Sequence, residues 1–271
     1  MKKNHLKKLT LLILAVLTLG MGAVYANDGL SGKKIAQMAK DANKSRNRIV
    51  WSKMEIFDNG KKVESRRMIN KFYWKGGKER IVVRFMNGLK RNVTFLSVEK
   101  NPKKDNIQYI YLPGVGRPRQ ISSAEKQNDF EDTDMTNEDI GGRKVNDYNY
   151  KRLKDRNIKI GKEKFQCYVI IAKHKNQSVR FPKFRFWIDK KTLVPVKVKV
   201  YGKDKRLKRV GFSALVKELK KGVYMPHYMY MKDLERNHET KMMALKVKID
   251  TPSLKRRQFS PSNLSKPWKE R

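Results

Sequence analysis

The chain has 271 residues, of which 65 are Lys or Arg, 26 are Asp or Glu and one is Cys, for a formal net charge of +39. One cysteine excludes an internal disulfide framework, and no apolar run beyond the N-terminal leader approaches the roughly 20 residues of a helical membrane span. The charge favours association with polyanions, and an exported chain meets anionic phospholipid, lipopolysaccharide or acidic wall polymer rather than nucleic acid.

Export follows from the first 26 residues. Lys2, Lys3, Lys7 and Lys8 precede an apolar stretch, Leu9 to Leu19. That stretch has signal-peptide length and is too short to span a bilayer as an ordinary helix. Val24-Tyr25-Ala26 places cleavage after Ala26. No Arg pair precedes the apolar stretch, so the general secretion route and a periplasmic location are expected. Residues 27–271 read as one domain, long enough for one real core.

Ser31 is positioned to cap a helix from Gly32 to Ala42, whose Ile35, Met38, Ala39 and Ala42 follow the helical period. Strand patterns follow. Arg48–Phe57 alternates, Asn59-Gly60 turns, and Lys62–Trp74 returns with Met68, Phe72 and Trp74 on one face. Arg80–Phe85, Val93–Val98 and Tyr109–Leu112 are further strands. Pro113-Gly114 ends the last of these, and a short basic hairpin element carries Arg117, Arg119 and Ile121. Segment 122–142 then concentrates seven acids: Glu125, Asp129, Glu131, Asp132, Asp134, Glu138 and Asp139. It reads as a solvated loop, with Thr136 placed to cap a short helix. Asp132-x-Asp134 suggests calcium ligands, but the EF-hand glycine and terminal glutamate are missing.

Strands resume at Asp147–Leu153, a short edge. Lys164–Ala172 is apolar on both faces and contains Cys167, a buried strand residue rather than a reactive thiol. Pro182–Asp189 sets Phe184, Phe186 and Ile188 against Lys183, Arg185 and Trp187. Val194, Val196, Val198 and Val200 alternate with Pro195, Lys197, Lys199 and Tyr201, the pattern of a half-buried strand. Leu207–Leu219 and Tyr224–Met231 follow, the latter with Met225, His227, Met229 and Met231 on one face. Thr240–Ile249 is read with Met243, Leu245, Val247 and Ile249 inward. The tail, 252–271, reads as peripheral. The expected fold is mainly β: an antiparallel meander of roughly ten strands, closed or half-closed to manage its edges.

The order Tyr111-Leu112-Pro113, Arg117-x-Arg119-x-Ile121, Phe130, Asp134 and Thr136-Asn137-Glu138-Asp139 resembles the bacterial family of outer-membrane lipoprotein-sorting-like proteins, with the LolA-like (RseB-like) fold. Trp187-Ile188-Asp189-Lys190-Lys191-Thr192, with Pro195 in the returning strand, is similar to that family's second motif. The resemblance covers most of residues 30–265. Where the family usually has Met-Gly after the phenylalanine, this chain has Glu131-Asp132. The resemblance implies an incomplete β-barrel whose concave apolar face, covered by helices, holds acyl chains of a lipid or lipoprotein.

The residues nominated for that concavity are Phe72, Trp74, Phe184, Phe186, Val196, Val198, Met225, Met229, Met231 and Leu245. Plain core packing would use the same residues. Methionine suits irregular apolar surfaces. His174, His227 and His238 have no metal-ligand spacing, and no nucleophile motif occurs, so no catalytic residue, metal or cofactor is expected. The expected partners are acyl chains, an anionic membrane surface and an inner-membrane transporter. An envelope sensor or exporter adaptor, or a purely electrostatic binder of anionic lipid or polymer, are the competing readings.

Overall fold

The computed structural model describes residues 28–101 and 104–268, so the leader and its cleavage site lie outside the described residues. Ser31 accepts a hydrogen bond from the Lys34 N–H at 3.2 Å and starts α1 (Gly32–Asp41). Gly32 packs so closely on the later Lys151-Arg152 backbone that a Cβ there would stand 3.0 Å from the Arg152 nitrogen.

Thirteen strands follow: β1 (Asn47–Asp58), β2 (Lys61–Lys75), β3 (Lys78–Phe85), β4 (Thr94–Val98), β5 (Ile107–Tyr111), β6 (Pro118–Ile121), β7 (Tyr148–Ile160), β8 (Glu163–His174), β9 (Lys183–Asp189), β10 (Pro195–Tyr201), β11 (Leu207–Lys220), β12 (Val223–Asp233) and β13 (His238–Ile249). A short helix, α2 (Asn137–Gly141), lies between β6 and β7. The strands form one antiparallel sheet in the order β6-β5-β4-β3-β2-β1-β13-β12-β11-β10-β9-β8-β7. Every pairing joins consecutive strands except β1 with β13, which welds the two halves. The edges β6 and β7 do not pair, so the barrel stays open on that side. The chain joins those edges through residues 122–147, which cross the concave face.

Against roughly ten strands expected, and twelve segments named, the described residues form thirteen. The basic hairpin element is itself strand β6. The short edge at 147–153 continues to Ile160, because a register shift between Leu153 and Arg156 interrupts the alternation that would have marked its second half.

The largest core lies on the concave side. Met54, Ile56, Met68, Ile81, Val83, Phe85 and Phe95 pack there with Phe130 and Met135 of the crossing segment. The other half of the concave face packs Ile170 and Ile188 against Ile35 of α1. The C-terminal segment is not peripheral. Leu254, Phe259 and Leu264 are 1–3% exposed and pack on Val82, Leu96 and Val98, on the outer face of β3 and β4. Buried Arg84 ties this segment down, donating to the Lys266 carbonyl at 2.6 Å and to the Leu264 carbonyl.

Strand β13 departs from its expected face. Trp51 opposes Lys246 while Ser52 opposes Ala244, so Leu245 is an extra, unpaired residue. A β-bulge of this kind reverses the inward set on one side of it. Met242 is therefore 7% exposed, whereas Met243 is 44% and Leu245 59% exposed.

Candidate functional site

The concave face is roofed by the crossing segment, and the acids explain how. Phe130, fully buried, stacks on Phe85 at 5.6 Å between centroids and meets Phe95 edge-on at 5.4 Å. Around this apolar anchor each acid finds a base. Glu125 takes Arg119 at 2.8 Å. Asp129 takes Arg180, Arg209 and Arg236. Glu131 and Asp132 share Lys90 at 3.1 and 2.8 Å. Glu138 and Asp139 both hold Arg143 at 2.6 Å. Asp134 is wholly buried and accepts from His238 Nδ1, from Thr240 Oγ1 at 2.8 Å and from Arg236 at 3.1 Å.

The segment is therefore a fastened cover and not a solvated loop: Lys90, Arg119, Arg180, Arg209 and Arg236 hold it from outside, and Arg143 pairs Glu138 and Asp139 within the crossing segment. The calcium reading of Asp132 and Asp134 is superseded: these carboxylates are committed to Lys90, His238, Thr240 and Arg236. Among the described residues no group of His, Cys, Asp and Glu is placed to hold a metal ion.

Thr136 starts α2 with a reciprocal cap. Its Oγ1 accepts from the Asp139 N–H at 3.1 Å, and the Asp139 carboxylate accepts from the Thr136 N–H at 2.8 Å. Burial works to raise the Asp139 carboxyl, but Arg143 and the two Thr136 bonds hold it below the ordinary 3.8. Glu131 and Asp132, where the family usually has Met-Gly, both take positive φ, 45° and 62°. The strain of a left-handed non-glycine pair is met there by Lys90 and by Arg66, which donates to the Glu131 carbonyl at 2.6 Å.

Beneath α2 a cavity of about 300 Å³ remains. Phe72, Met68, Met225, Met229, Met242 and Ile140 supply much of its wall, with Arg48, Asn70 and His227 as polar members. A second cavity of about 250 Å³ lies beside α1, walled by Ala36, Ala39, Tyr148, Tyr150, Ile170 and Phe186. Asp139 and Ile140 border the first cavity, Gly142 and Arg143 the second, so the end of α2 stands between them.

The nominated residues divide accordingly. Phe72, Met225 and Met229 line the first cavity and Phe186 the second. Met231 packs against the concave core. Trp74 stacks on Phe72 at 5.7 Å and donates its indole N–H to Glu79 at 2.8 Å. Phe184 is enclosed with Tyr148 and Phe181, and Val198 packs at that cluster's margin. Val196 lies in another cluster with Trp187, because the β9–β10 register shifts between Pro195 and Lys197. Leu245 faces outward and belongs to no cavity.

Of the motif residues, Tyr111 packs toward the C-terminal segment and Leu112 toward the concave core. Pro113 opens a tight 3₁₀ turn, Arg117 is exposed, and Asp189 closes the β9–β10 turn by accepting from the Thr192 N–H at 2.9 Å and its hydroxyl at 2.7 Å. Sequence reasoning missed Arg48 and Asn70 as cavity residues. Their signal was parity: Arg48 shares the phase of Val50, and Asn70 that of Met68 and Phe72.

A family model described as an uncharacterized protein matches residues 77–266. The chain belongs to that family. Its fold is LolA-like, as solved structures show. An outer membrane lipoprotein-sorting protein domain from Vibrio parahaemolyticus superposes with a TM-score of 0.78 at 22% identity, over 86% of this chain and 98% of that one. A DUF1329 family protein from Desulfovibrio piger gives 0.74 at 22% identity, over 86% and 97%. A LolA superfamily protein from Nitrosomonas europaea gives 0.61 at 18% identity, over 85% and 98%. None of the curated proteins compared matches the chain.

Proposed function

We propose that this chain is a periplasmic carrier that shields the acyl chain of a lipid or lipoprotein inside its half-barrel, in the service of outer-membrane lipid or lipoprotein sorting. The reading is one of binding and not of catalysis. The observation that carries it is the unfilled apolar space of about 300 Å³ under a cover held by ion pairs. The similar Vibrio domain is named for lipoprotein sorting, which supports the same reading.

Ligand pockets span roughly 300–1,000 Å³, so this cavity lies at the lower limit. A long chain needs both cavities, with the end of α2 displaced from between them. Each CH₂ moved from water contributes about 0.8 kcal/mol, enough to drive that displacement with no reactive group. Exterior lysines such as Lys246 and Lys248, both close to the Trp51 ring, suit contact with anionic headgroups and with a membrane transporter that receives or supplies the cargo.

Native mass spectrometry of residues 27–271 taken from a periplasm, with organic extraction, tests the reading. A bound lipid or acyl mass is expected, and its loss in Met229→Asp with strand content retained. Extracts that contain no acyl species from the wild-type chain, with no uptake of added acyl ligand, would overturn it.

A further inference from the structure

The apolar cavity has one wall that acyl binding alone does not explain. Arg48 sits on the inward face of β1, opposite Phe72, and is 7% exposed. Its guanidinium lies over the Phe72 and Trp74 rings, 5.8 and 5.3 Å from their centroids. One Nη donates to the Asn43 carbonyl at 2.6 Å. Its Nε is buried and meets no acceptor among the described residues.

Other buried arginines here are better served. Arg66 has Glu64, Arg209 has Asp233 and Asp129, and Arg84 has Thr94 and two carbonyls. Like Arg84, Arg48 has no carboxylate in ion-pair contact among the described residues, but Arg84 has acceptors at Nε and at both Nη, and Arg48 does not. The acids that act on it through the field are engaged elsewhere: Glu79 with the Trp74 indole, Asp250 with Lys220. Burial pulls the guanidinium down to about 10, still charged at neutral pH. The other ionisable groups on the cavity wall are also spoken for, Asp139 by Arg143 and Thr136, His227 Nδ1 by the Met225 carbonyl. A buried charge without a counter-charge is strongly unfavourable, and its natural complement is an oxyanion that the planar guanidinium can grip.

We infer that the cavity takes an amphiphile with a compact anionic head, a carboxylate or a phosphate monoester, which pairs with Arg48 while the acyl chain runs along Phe72, Met229 and Met242. This rests on the acyl-binding reading and adds the head group to it. A neutral ester carbonyl could accept a hydrogen bond but would leave the charge uncompensated.

The test compares palmitate, methyl palmitate and 1-palmitoyl-lysophosphatidate binding to residues 27–271 by titration calorimetry. Palmitate is expected to bind about 10- to 100-fold tighter than its methyl ester, the worth of one charge-assisted hydrogen bond. Arg48→Met should erase that preference; Arg48→Lys should retain part of it. Either order of palmitate and lysophosphatidate supports the pairing and names the head. Equal wild-type affinity for palmitate and methyl palmitate overturns the inference with acyl capture intact. Binding of neither overturns both. The wild-type comparison decides even where a variant fails to fold.

Discussion

Phe130→Ala should release the cover without dissolving the sheet. The side chain is fully buried, and its ring contacts belong to β3 and β4. Removing a buried phenylalanine costs about 3–5 kcal/mol, cavity included. The ion pairs that also hold the segment are partly exposed for the most part and contribute about 0–1 kcal/mol each. They cannot replace the ring, yet they are not lost with it. The cost therefore falls on the closed state of residues 122–142, since thirteen paired strands do not depend on this segment for their ladders. Where opening is fast relative to cleavage, proteolysis follows the open population. A cost of 3–4 kcal/mol raises that population about 100- to 1,000-fold. Cleavage by a glutamate-specific protease at Glu125 or Glu131 should accelerate by that order, with far-UV circular dichroism unchanged. A rate within about threefold of wild type would show that Phe130 does not fasten the cover. Loss of strand signal in parallel would show that cover and sheet are one cooperative unit.

Three further outcomes follow from the same geometry. Met242→Lys should destabilise the fold by about 2–5 kcal/mol in urea denaturation while Leu245→Lys stays within about 0.5 kcal/mol, because only the first is inward; comparable losses would contradict the bulge. Acid should loosen the cover. The Asp139 carboxyl is depressed in the fold by Arg143 and Thr136 against the pull of burial. The unfolded chain then binds more protons, so this stabilisation is complete well above the ordinary 3.8 of the unfolded carboxyl and is lost as pH falls through that value and on through the depressed one of the fold; a protection against proteolysis that stays flat or rises from pH 5 to pH 3 would refute it. Cys167 is 1% exposed and burial pushes its thiol up to about 12, so a thiol-reactive disulfide reagent should label it only after denaturation; rapid labelling of the native protein would show that this strand opens.

Much of the sheet was legible because alternation survives wherever pairing is regular. Parity put Phe72, Met225 and Met229 on one face of their strands, and that face lines the first cavity. Parity failed where the register slips. Leu245 and Met243 continue an apparent alternation with Val247 and Ile249, but the lysines change phase between Lys241 and Lys246. That phase change was the visible mark of the bulge, since the outward set cannot switch from odd to even without an extra residue. Val196 was lost to the shift beside Pro195, and the second half of β7 to the shift at Leu153–Arg156. These slips are set by tertiary pairing, and the apolar pattern of one strand does not encode its neighbour's count.

The cover was misread for a different reason, one of composition. A run of acids in isolation is best solvated, and a loop is its default place. Here the surroundings carry a large excess of positive charge, so each carboxylate gains more from a fixed cation than from water. The same excess explains why Arg48 matters. Basic residues on the outer face need no account, being solvated or laid along aromatic rings. An arginine in the phase of Val50, Ser52 and Met54 is turned inward by the pleat, into a cavity whose one acid, Asp139, is held by Arg143 and Thr136. The two carboxylates that act on it from a distance are bonded elsewhere, Glu79 to the Trp74 indole and Asp250 to Lys220. A fold that has used its acids in this way leaves the charge in its cavity to be met by whatever the cavity holds.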